Sequence, residues 1–347
     1  MVPTAFVTSD LSPNQLERLS QRCRVKQGGW GRIGVRLTPD ELVEAAAEAE
    51  ILLVSYEPVP AQVIRKLPRL QLIGCTRSTP VNIDIAAATA RRIPVLHTPG
   101  RNTQTAAEFT LGLMLSEAHR IARAHHALRS GHYLSAPASD PTVTDDSGDV
   151  TWNLDGKSSF KDFQGIELAG RCLGIIGLGK IGSRVAQLAQ AFDLRVVSYS
   201  PYTSPTEAEA LNVQLVELDT LLKQADFISV HANVTSETQG MLGERELNLM
   251  KPGAYLISIS RAAVIDQAAL VKALQEGRIA GAALDVFWSE PLPANHPLLT
   301  LENVTLTPHL AGATHDVRER HSQMIVEDVL AWLDGRRPKY IANPEVM

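Results

Sequence analysis

Four short segments of the chain carry glycines, a cation, acids and a histidine at spacings that suit chemistry. In LGIIGLGKIG, Gly177, Gly179 and Gly182 follow an apolar run and open a helical pattern. In that strand–turn–helix setting the first glycine allows a tight turn, the second lets the backbone approach a pyrophosphate, and the third permits close helix–strand packing. The helix N-terminus adds N–H groups and a positive dipole end for the phosphates. LISISRAAVID places Arg261 directly after another apolar run, GAALDVFWSEPLP holds Asp285 at a strand end with Glu290 shortly beyond, and TLTPHLAGAT holds His309 just after a third run. Taken singly, Arg261 reads equally as a surface cation, Glu290 as a solvated loop acid and His309 as a turn histidine. Ligands of doubly wound sheets sit outside the carboxyl ends of the strands, so polar groups at three such ends are expected to converge on one crevice.

The elements that must position these groups alternate along the chain. Apolar runs at 5–8, 51–55, 70–75 and 94–97 are separated by helical stretches at 13–22, 39–48, 60–67 and 82–91, three of them opened by proline. Proline suits the first turn of a helix, and strands alternating with helices imply parallel pairing with helices on both faces. One long helical pattern covers 103–129, with Gly131 placed to end it. Residues 132–165 are rich in Ser, Asp, Pro, Thr and Gly, and form a long connection that is either an ordered arm or a surface loop. Six further strand signals follow, at 172–176, 195–199, 227–231, 254–258, 281–286 and 304–307, the number expected of a complete dinucleotide-binding unit. A last helical stretch, 314–333, returns to the first domain. The expected organisation is a discontinuous domain at 1–118 and 313–347 around a dinucleotide-binding domain at 119–312.

Composition narrows the classes further. The chain has 347 residues, 44% hydrophobic and 20% charged, and a formal net charge of -5, which is ordinary for a two-domain globular protein. That balance gives no electrostatic reason to expect nucleic acid or an anionic membrane as partner. Cys23, Cys75 and Cys172 stand far apart without metal-ligand spacing, so no metal site and no disulfide framework is expected, and a reducing compartment fits. The opening MVPTAFVTSDLSPNQ lacks the basic and apolar regions of a signal peptide, and no run is long enough for a membrane span. A cytoplasmic protein is expected.

With these segments in order, the chain resembles the D-isomer-specific 2-hydroxyacid dehydrogenase family over nearly its whole length. The resemblance rests on GCTRSTPVNIDIAAATARRIPVLHTPGRNTQTAAEFTLGLML, the glycine fingerprint, SVHANVTSETQGML, ISISRAAVID, ALDVFWSEP and TPHLAG. It implies an α/β fold of two doubly wound parallel sheets, a Rossmann NAD-binding domain inserted in a flavodoxin-like substrate domain, and a homodimer joined through the cofactor domain. Arg261 is then the clamp on substrate carboxylate and carbonyl, Glu290 and His309 are the catalytic pair, and Asp285 lies by the nicotinamide. Further cofactor contacts are implied at Thr105, Lys180, Ile181, Ala232, Asn233, Thr238, Ile259, Ser260, Arg261 and His309. The substrate carboxylate is expected on backbone N–H groups of the loop from Thr76 through Arg77 and Ser78 to Thr79, with the Arg77 side chain either meeting an additional anionic group or facing solvent.

The chemistry accounts for these residue types independently. Reducing a 2-oxo acid takes a hydride to the carbonyl carbon and a proton to its oxygen, and histidine exchanges protons near neutral pH. A nearby carboxylate favours and orients the charged imidazole, and a guanidinium offers a planar carboxylate paired donors in a fixed fork. An acid about 20 residues past the fingerprint usually holds the adenosine ribose; here Ser200 stands there, with no cation before Glu207, so NAD is the expected cofactor with NADP not excluded. Ala262 replaces the glycine that often follows the family's arginine. Ser55, Tyr56 and Glu57 stand where phosphoglycerate-specific relatives carry an Arg-Ser-type segment, which argues against that substrate. Two other readings remain at this point: a phosphoglycerate-type dehydrogenase of a doubly anionic acid, which Arg77 favours, and a non-enzymatic NADH-binding regulator of the corepressor type.

Overall fold

Apolar runs bounded by turns become the strands of two parallel sheets in the computed structural model, which describes residues 2–134 and 159–347. The greater part of the connection at 132–165 lies outside the described residues. The chain divides into two compact units, Met1–Asn102 with Ala313–Met347, and Thr103–Gly312.

In the first unit, β1 (Thr4–Val7), β2 (Arg24–Gln27), β3 (Ile51–Val54), β4 (Leu72–Cys75) and β5 (Val95–Leu96) form a sheet in the order β2-β1-β3-β4-β5. All its pairings are parallel, in the flavodoxin-like order. β3 and β4 are buried along their whole length, and their unbroken apolar runs follow from having both faces covered. β2 was not among the expected strands. Its sequence, RVKQ, lies mostly exposed at the sheet edge with a single partner, so it carries no apolar pattern. The proline-opened helices form as Pro13–Ser20 and Pro39–Ala45, the second with a reciprocal Thr38–Glu41 capping box. Helix His315–Leu333 is capped by Thr314 and sends Ile325, Val326 and Val329 into the core that holds Val7, Leu53 and Leu72.

The second unit contains β6 (Cys172–Ile176), β7 (Arg195–Tyr199), β8 (Gln214–Leu215), β9 (Phe227–Val230), β10 (Tyr255–Ser258), β11 (Gly281–Leu284) and β12 (Val304–Leu306), in the order β12-β11-β10-β9-β6-β7-β8. The order reverses direction between β6 and β9, the switch point at which doubly wound sheets take dinucleotides. β8, a two-residue edge strand, is an addition to the six expected.

Two expectations need correction. The helical stretch 103–129 is two helices, Thr103–Ala118 and Ile121–Arg129, broken at Arg120, which adopts a left-handed φ of 54°. The carbonyl freed at Ala118 accepts from Ile166 N at 2.8 Å, so a long-range contact replaces the next helical bond. The first domain boundary also moves from 118 to 102. Ala106, Ala107, Leu111, Met114 and Ala118 pack in one core with Leu173, Ile175 and Val185, and the helix therefore belongs to the second unit.

Two of the three fingerprint glycines are demanded by the protein's own backbone. Gly177 has φ +94°, and a Cβ there would stand 2.8 Å from Ala232 N. A Cβ at Gly182 would stand 2.2 Å from Gly177 O, so helix Lys180–Gln190 can approach β6 only without a side chain at that point. Alanine normally gains about 1 kcal/mol over glycine inside a helix. Against a backbone carbonyl that gain is overwhelmed, since overpacking costs about 1–3 kcal/mol and nothing flexible can move aside. Gly182→Ala is accordingly expected to lower the urea unfolding midpoint at an unchanged slope; a raised midpoint would show that the helix does not pack as described.

Candidate active site

Leu284 ends β11, and the next residue, Asp285, is fully buried. Its Oδ1 accepts from Thr307 Oγ1 and from Leu310 N, both at 2.7 Å, and its Oδ2 accepts from Ala311 N at 2.8 Å. The loop after β12 is thereby tied to the end of β11. His309 lies inside that loop at φ +60°, with its N–H donating to Thr307 O at 3.0 Å. Its Nδ1 is 2.7 Å from Glu290 Oε2. Glu290 is fixed in turn by Phe287 N, which donates to Oε1 at 3.0 Å.

Partial burial raises the Glu290 carboxyl, but the hydrogen bonds from His309 and Phe287 N and the charges of His309 and Arg261 outweigh it and hold the group below the usual carboxylate range. At neutral pH Glu290 is an ionised acceptor, so His309 Nδ1 must carry the proton between them. The imidazole's other nitrogen, Nε2, is left for proton exchange. Both side chains keep access to solvent, at 47% and 38% exposure.

Arg261 follows β10 in an extended conformation and precedes the helical turn Ala262–Val264. Its guanidinium donates to Ser260 O at 2.6 Å and is close enough to act on Glu290. β10, β11 and β12 are neighbours in the sheet, so Arg261, Glu290 and His309 gather at one end of three adjacent strands. Ala262 keeps an ordinary φ, so the alanine is accommodated without strain.

Across β9 from these groups lies the glycine loop. A Cβ at Gly179 would meet nothing within 4 Å, so packing within the protein does not account for that glycine, whereas a close-lying phosphate does. Lys180 and Ile181 stand in the first turn of the helix it opens. Ala232 and Asn233 follow β9, and Thr238 closes their loop by donating from Oγ1 to Asn233 O at 2.6 Å. Ile259 is buried, and the buried Ser260 hydroxyl has no hydrogen-bond partner among the described residues. An open glycine at the start of a helix and an orphaned hydroxyl together fit a dinucleotide. Thr105 is a buried residue of helix Thr103–Ala118 in the same unit. Asp285, expected beside the nicotinamide, spends its three hydrogen bonds on the His309 loop and has no exposed surface.

Ser200 directly follows β7. Its hydroxyl accepts from Leu178 N at 3.1 Å and pairs with Thr203 Oγ1 at 2.9 Å. A residue pair without a signal in the sequence pattern lies close by: Tyr202 OH donates to Glu237 at 2.7 Å, linking the loops after β7 and β9. In the first unit, Arg77, Ser78 and Thr79 follow β4. Ser78 O contacts His97 Nδ1 at 2.8 Å, and the Arg77 guanidinium lies over the Tyr56 ring at 5.5 Å. Tyr56 and Arg101 were not among the expected site residues. The signal available for them was their position just past β3 and β5.

Comparison with known proteins gives a consistent result. Residues 111–311 match the family model described as D-isomer specific 2-hydroxyacid dehydrogenase, NAD binding domain. A glyoxylate reductase of Aeropyrum pernix is 37% identical, over 99% of this chain and 97% of that protein. A D-3-phosphoglycerate dehydrogenase of Methanocaldococcus jannaschii is 36% identical over 92% of this chain, which spans 56% of that longer protein. A crystal structure of a Thermus thermophilus protein superposes with a TM-score of 0.81 at 34% identity, covering 98% of this chain and 99% of the other.

The environment of Ser200 yields a test of cofactor choice. A neutral hydroxyl does not repel a 2′-phosphate, and an aspartate at the same point would. Ser200→Asp is expected to raise the ratio of kcat/KM for NADH over NADPH, chiefly by worsening NADPH. An unchanged ratio would show that Ser200 does not face the ribose.

Proposed function

This chain belongs to the D-isomer specific 2-hydroxyacid dehydrogenase family, and from that premise we propose that His309, Glu290 and Arg261 form the catalytic group that reduces a small 2-oxo acid to its D-2-hydroxy acid. The enzyme is an NAD(P)-dependent oxidoreductase that moves a hydride between the nicotinamide and the 2-oxo/2-hydroxy acid pair. The observation that carries the assignment of roles is the 2.7 Å contact between His309 Nδ1 and Glu290, with Arg261 beside it.

The bound nicotinamide supplies the hydride. Arg261 fixes the plane of the acid by meeting its carboxylate and carbonyl oxygen with paired donors. His309 donates a proton from Nε2 to the carbonyl oxygen during reduction, and the same nitrogen accepts it in the reverse direction. Glu290 keeps Nδ1 protonated in both states and stabilises the charged imidazole before transfer. Gly179, with Lys180 and Ile181, would hold the pyrophosphate on the turn that Gly177 and Gly182 shape, and Ser200 would face the ribose. Thr105, Ala232, Asn233, Thr238, Ile259 and Ser260 complete the cofactor site. The N–H groups of Ser78 and Thr79 take the substrate carboxylate. The similarity to glyoxylate reductases supports glyoxylate as the first substrate to test. A cytoplasmic homodimer acting on a small molecule, without nucleic acid or membrane, completes the proposal; no helix among the described residues is long and apolar enough to cross a membrane.

The direct experiment follows oxidation of NADH and NADPH against a panel of 2-oxo acids, with chiral analysis of the product. His309→Asn is expected to lose about 100- to 10,000-fold in kcat while NADH still binds, the range associated with removing one general acid. Turnover near wild type in the folded variant would remove His309 from the mechanism.

Arg261→Lys keeps the charge and loses the fork. It is expected to lower kcat/KM on the active acid by roughly 10- to 100-fold, because a point charge cannot fix carboxylate and carbonyl together. Kinetics indistinguishable from wild type would mean that Arg261 is not the clamp.

A further inference from the structure

We propose that the first unit carries a second anion site, formed by Arg77 and Arg101 beside Tyr56, which takes a carboxylate or phosphate borne on the substrate beyond its 2-oxo acid group. The proposal rests on the reading that the enzyme reduces 2-oxo acids, and it names their class.

Tyr56, Arg77 and Arg101 follow β3, β4 and β5, three neighbouring strands whose carboxyl ends are where a doubly wound sheet presents ligands. The Arg77 guanidinium lies over the Tyr56 ring, with Cζ 5.5 Å from its centroid, and makes no hydrogen bond or ion pair among the described residues. Trp30 meets the same ring edge-on, at 5.0 Å between centroids, and backs the tyrosine. Arg101 is partly buried and interacts with the Tyr56 side chain. Its Nε is buried without an acceptor among the described residues.

The remaining contact of Arg101 does not neutralise it. Its Nη1 is 3.2 Å from His321 Nδ1, while His321 Nε2 is 2.9 Å from Asp10 O. A carbonyl only accepts, so Nε2 carries the hydrogen and Nδ1 accepts from Arg101. Burial pushes the His321 pKa down to about 4, which agrees with a neutral ring. A neutral acceptor therefore aims the guanidinium and leaves its charge intact.

The acids close by are committed elsewhere. Glu57 is fully buried and accepts from Thr8 Oγ1 at 2.7 Å, Trp30 N at 2.9 Å and Tyr56 N at 3.3 Å. Asp10 pairs with Arg318 at 2.8 Å. Arg22, Arg123, Arg245, Arg318 and Arg336 all have carboxylate partners, whereas Arg77 and Arg101 have none among the described residues. Burial and the neighbouring Arg77 both disfavour the charged form of Arg101, against the opposing effect of Tyr56. Two guanidinium groups held near each other without a carboxylate partner are relieved by a bound anion, and their planar forks match carboxylate or phosphate. The fitting substrates are 2-oxo dicarboxylic acids and phosphorylated 2-oxo acids.

The test has a kinetic and a binding arm. Oxaloacetate, 2-oxoglutarate and 3-phosphohydroxypyruvate are compared with singly charged 2-oxo acids of matching length, using wild type, Arg77→Met and Arg101→Met. At least one doubly charged acid is expected to exceed its matched partner in wild type. That ratio of kcat/KM should fall by about 10-fold or more in either variant, mainly through KM, since hydrogen bonds to charged groups are worth that much. Preference for the phosphorylated acid or for a dicarboxylate identifies the anionic group. Equal losses on both kinds of acid would assign the arginines to the common carboxylate and overturn the proposal. In the second arm, calorimetry with succinate and with inorganic phosphate should detect binding to wild type that either variant weakens. Absence of variant-sensitive binding overturns the site whatever the turnover. Binding that is present without reduction of any 2-oxo acid counts against the proposed reaction alone. Arg77→Met, which loses no hydrogen bond, keeps the test open if Arg101→Met folds poorly.

Discussion

Asp285, a carboxylate with no exposed surface, accepts three hydrogen bonds from the loop that carries His309. An ionised carboxylate taken out of water costs several kcal/mol unless donors replace its hydration. The donors here are the Thr307 hydroxyl and the N–H groups of Leu310 and Ala311, on either side of His309. Displacing the loop would strip the carboxylate of those bonds, so the position of the histidine is set by the need to keep a buried charge satisfied. The same anchoring explains how His309 holds a left-handed φ of 60°, which costs on the order of 1–3 kcal/mol for a residue other than glycine. Asp285 thereby ties the loop that carries His309 to the end of β11.

From that anchor the polarity of the site follows. With Phe287 N fixing one oxygen of Glu290 and His309 Nδ1 the other, the carboxylate has one orientation, and the imidazole presents Nε2 alone. Arg261 enters from the adjacent strand and adds positive charge beside the same carboxylate. The glycine loop lies at the end of β6, with β9 between it and β10. One sheet therefore carries both the glycine loop and the groups proposed for proton transfer. Register in the parallel pairs β9–β10 and β10–β11 keeps their ends level, and a residue just past one strand neighbours those just past the next.

Much of this was legible in the sequence because burial leaves a strong pattern. β3, β6, β9, β10 and β11 are buried throughout, and each appears as an apolar run ended by a polar residue or, at β6, by the glycine fingerprint. The polar residue at the end was the chemical signal, and it led to Arg261, Asp285 and His309. What escaped lacked that pattern. β2 and β8 are edge strands with partly or fully exposed residues, held by backbone pairing to one neighbour. The break at Arg120 depends on Ile166, more than forty residues farther on, claiming the Ala118 carbonyl, and local helical spacing cannot report such a contact. Helix Thr103–Ala118 has buried residues on nearly every side, so its sequence did not say which core it would join.

The first unit shows a further limit of reading charge from position. Glu57 stands where an anion-binding relative would carry a cation, and its type alone argues against an anionic ligand. Its carboxylate, however, is turned inward and spent on Thr8, Trp30 and Tyr56. Gly29 makes room for it, since a Cβ there would lie 2.6 Å from Glu57 Oε1. The acid thus builds the loop that sets Trp30 against Tyr56, and its charge is answered by backbone and hydroxyl donors, with no arginine drawn into a pair. A residue's formal charge predicts its effect on a ligand only when its hydrogen bonds are known. At this strand end Glu57 is held by neutral donors, and the guanidinium groups of Arg77 and Arg101 have no carboxylate partner among the described residues.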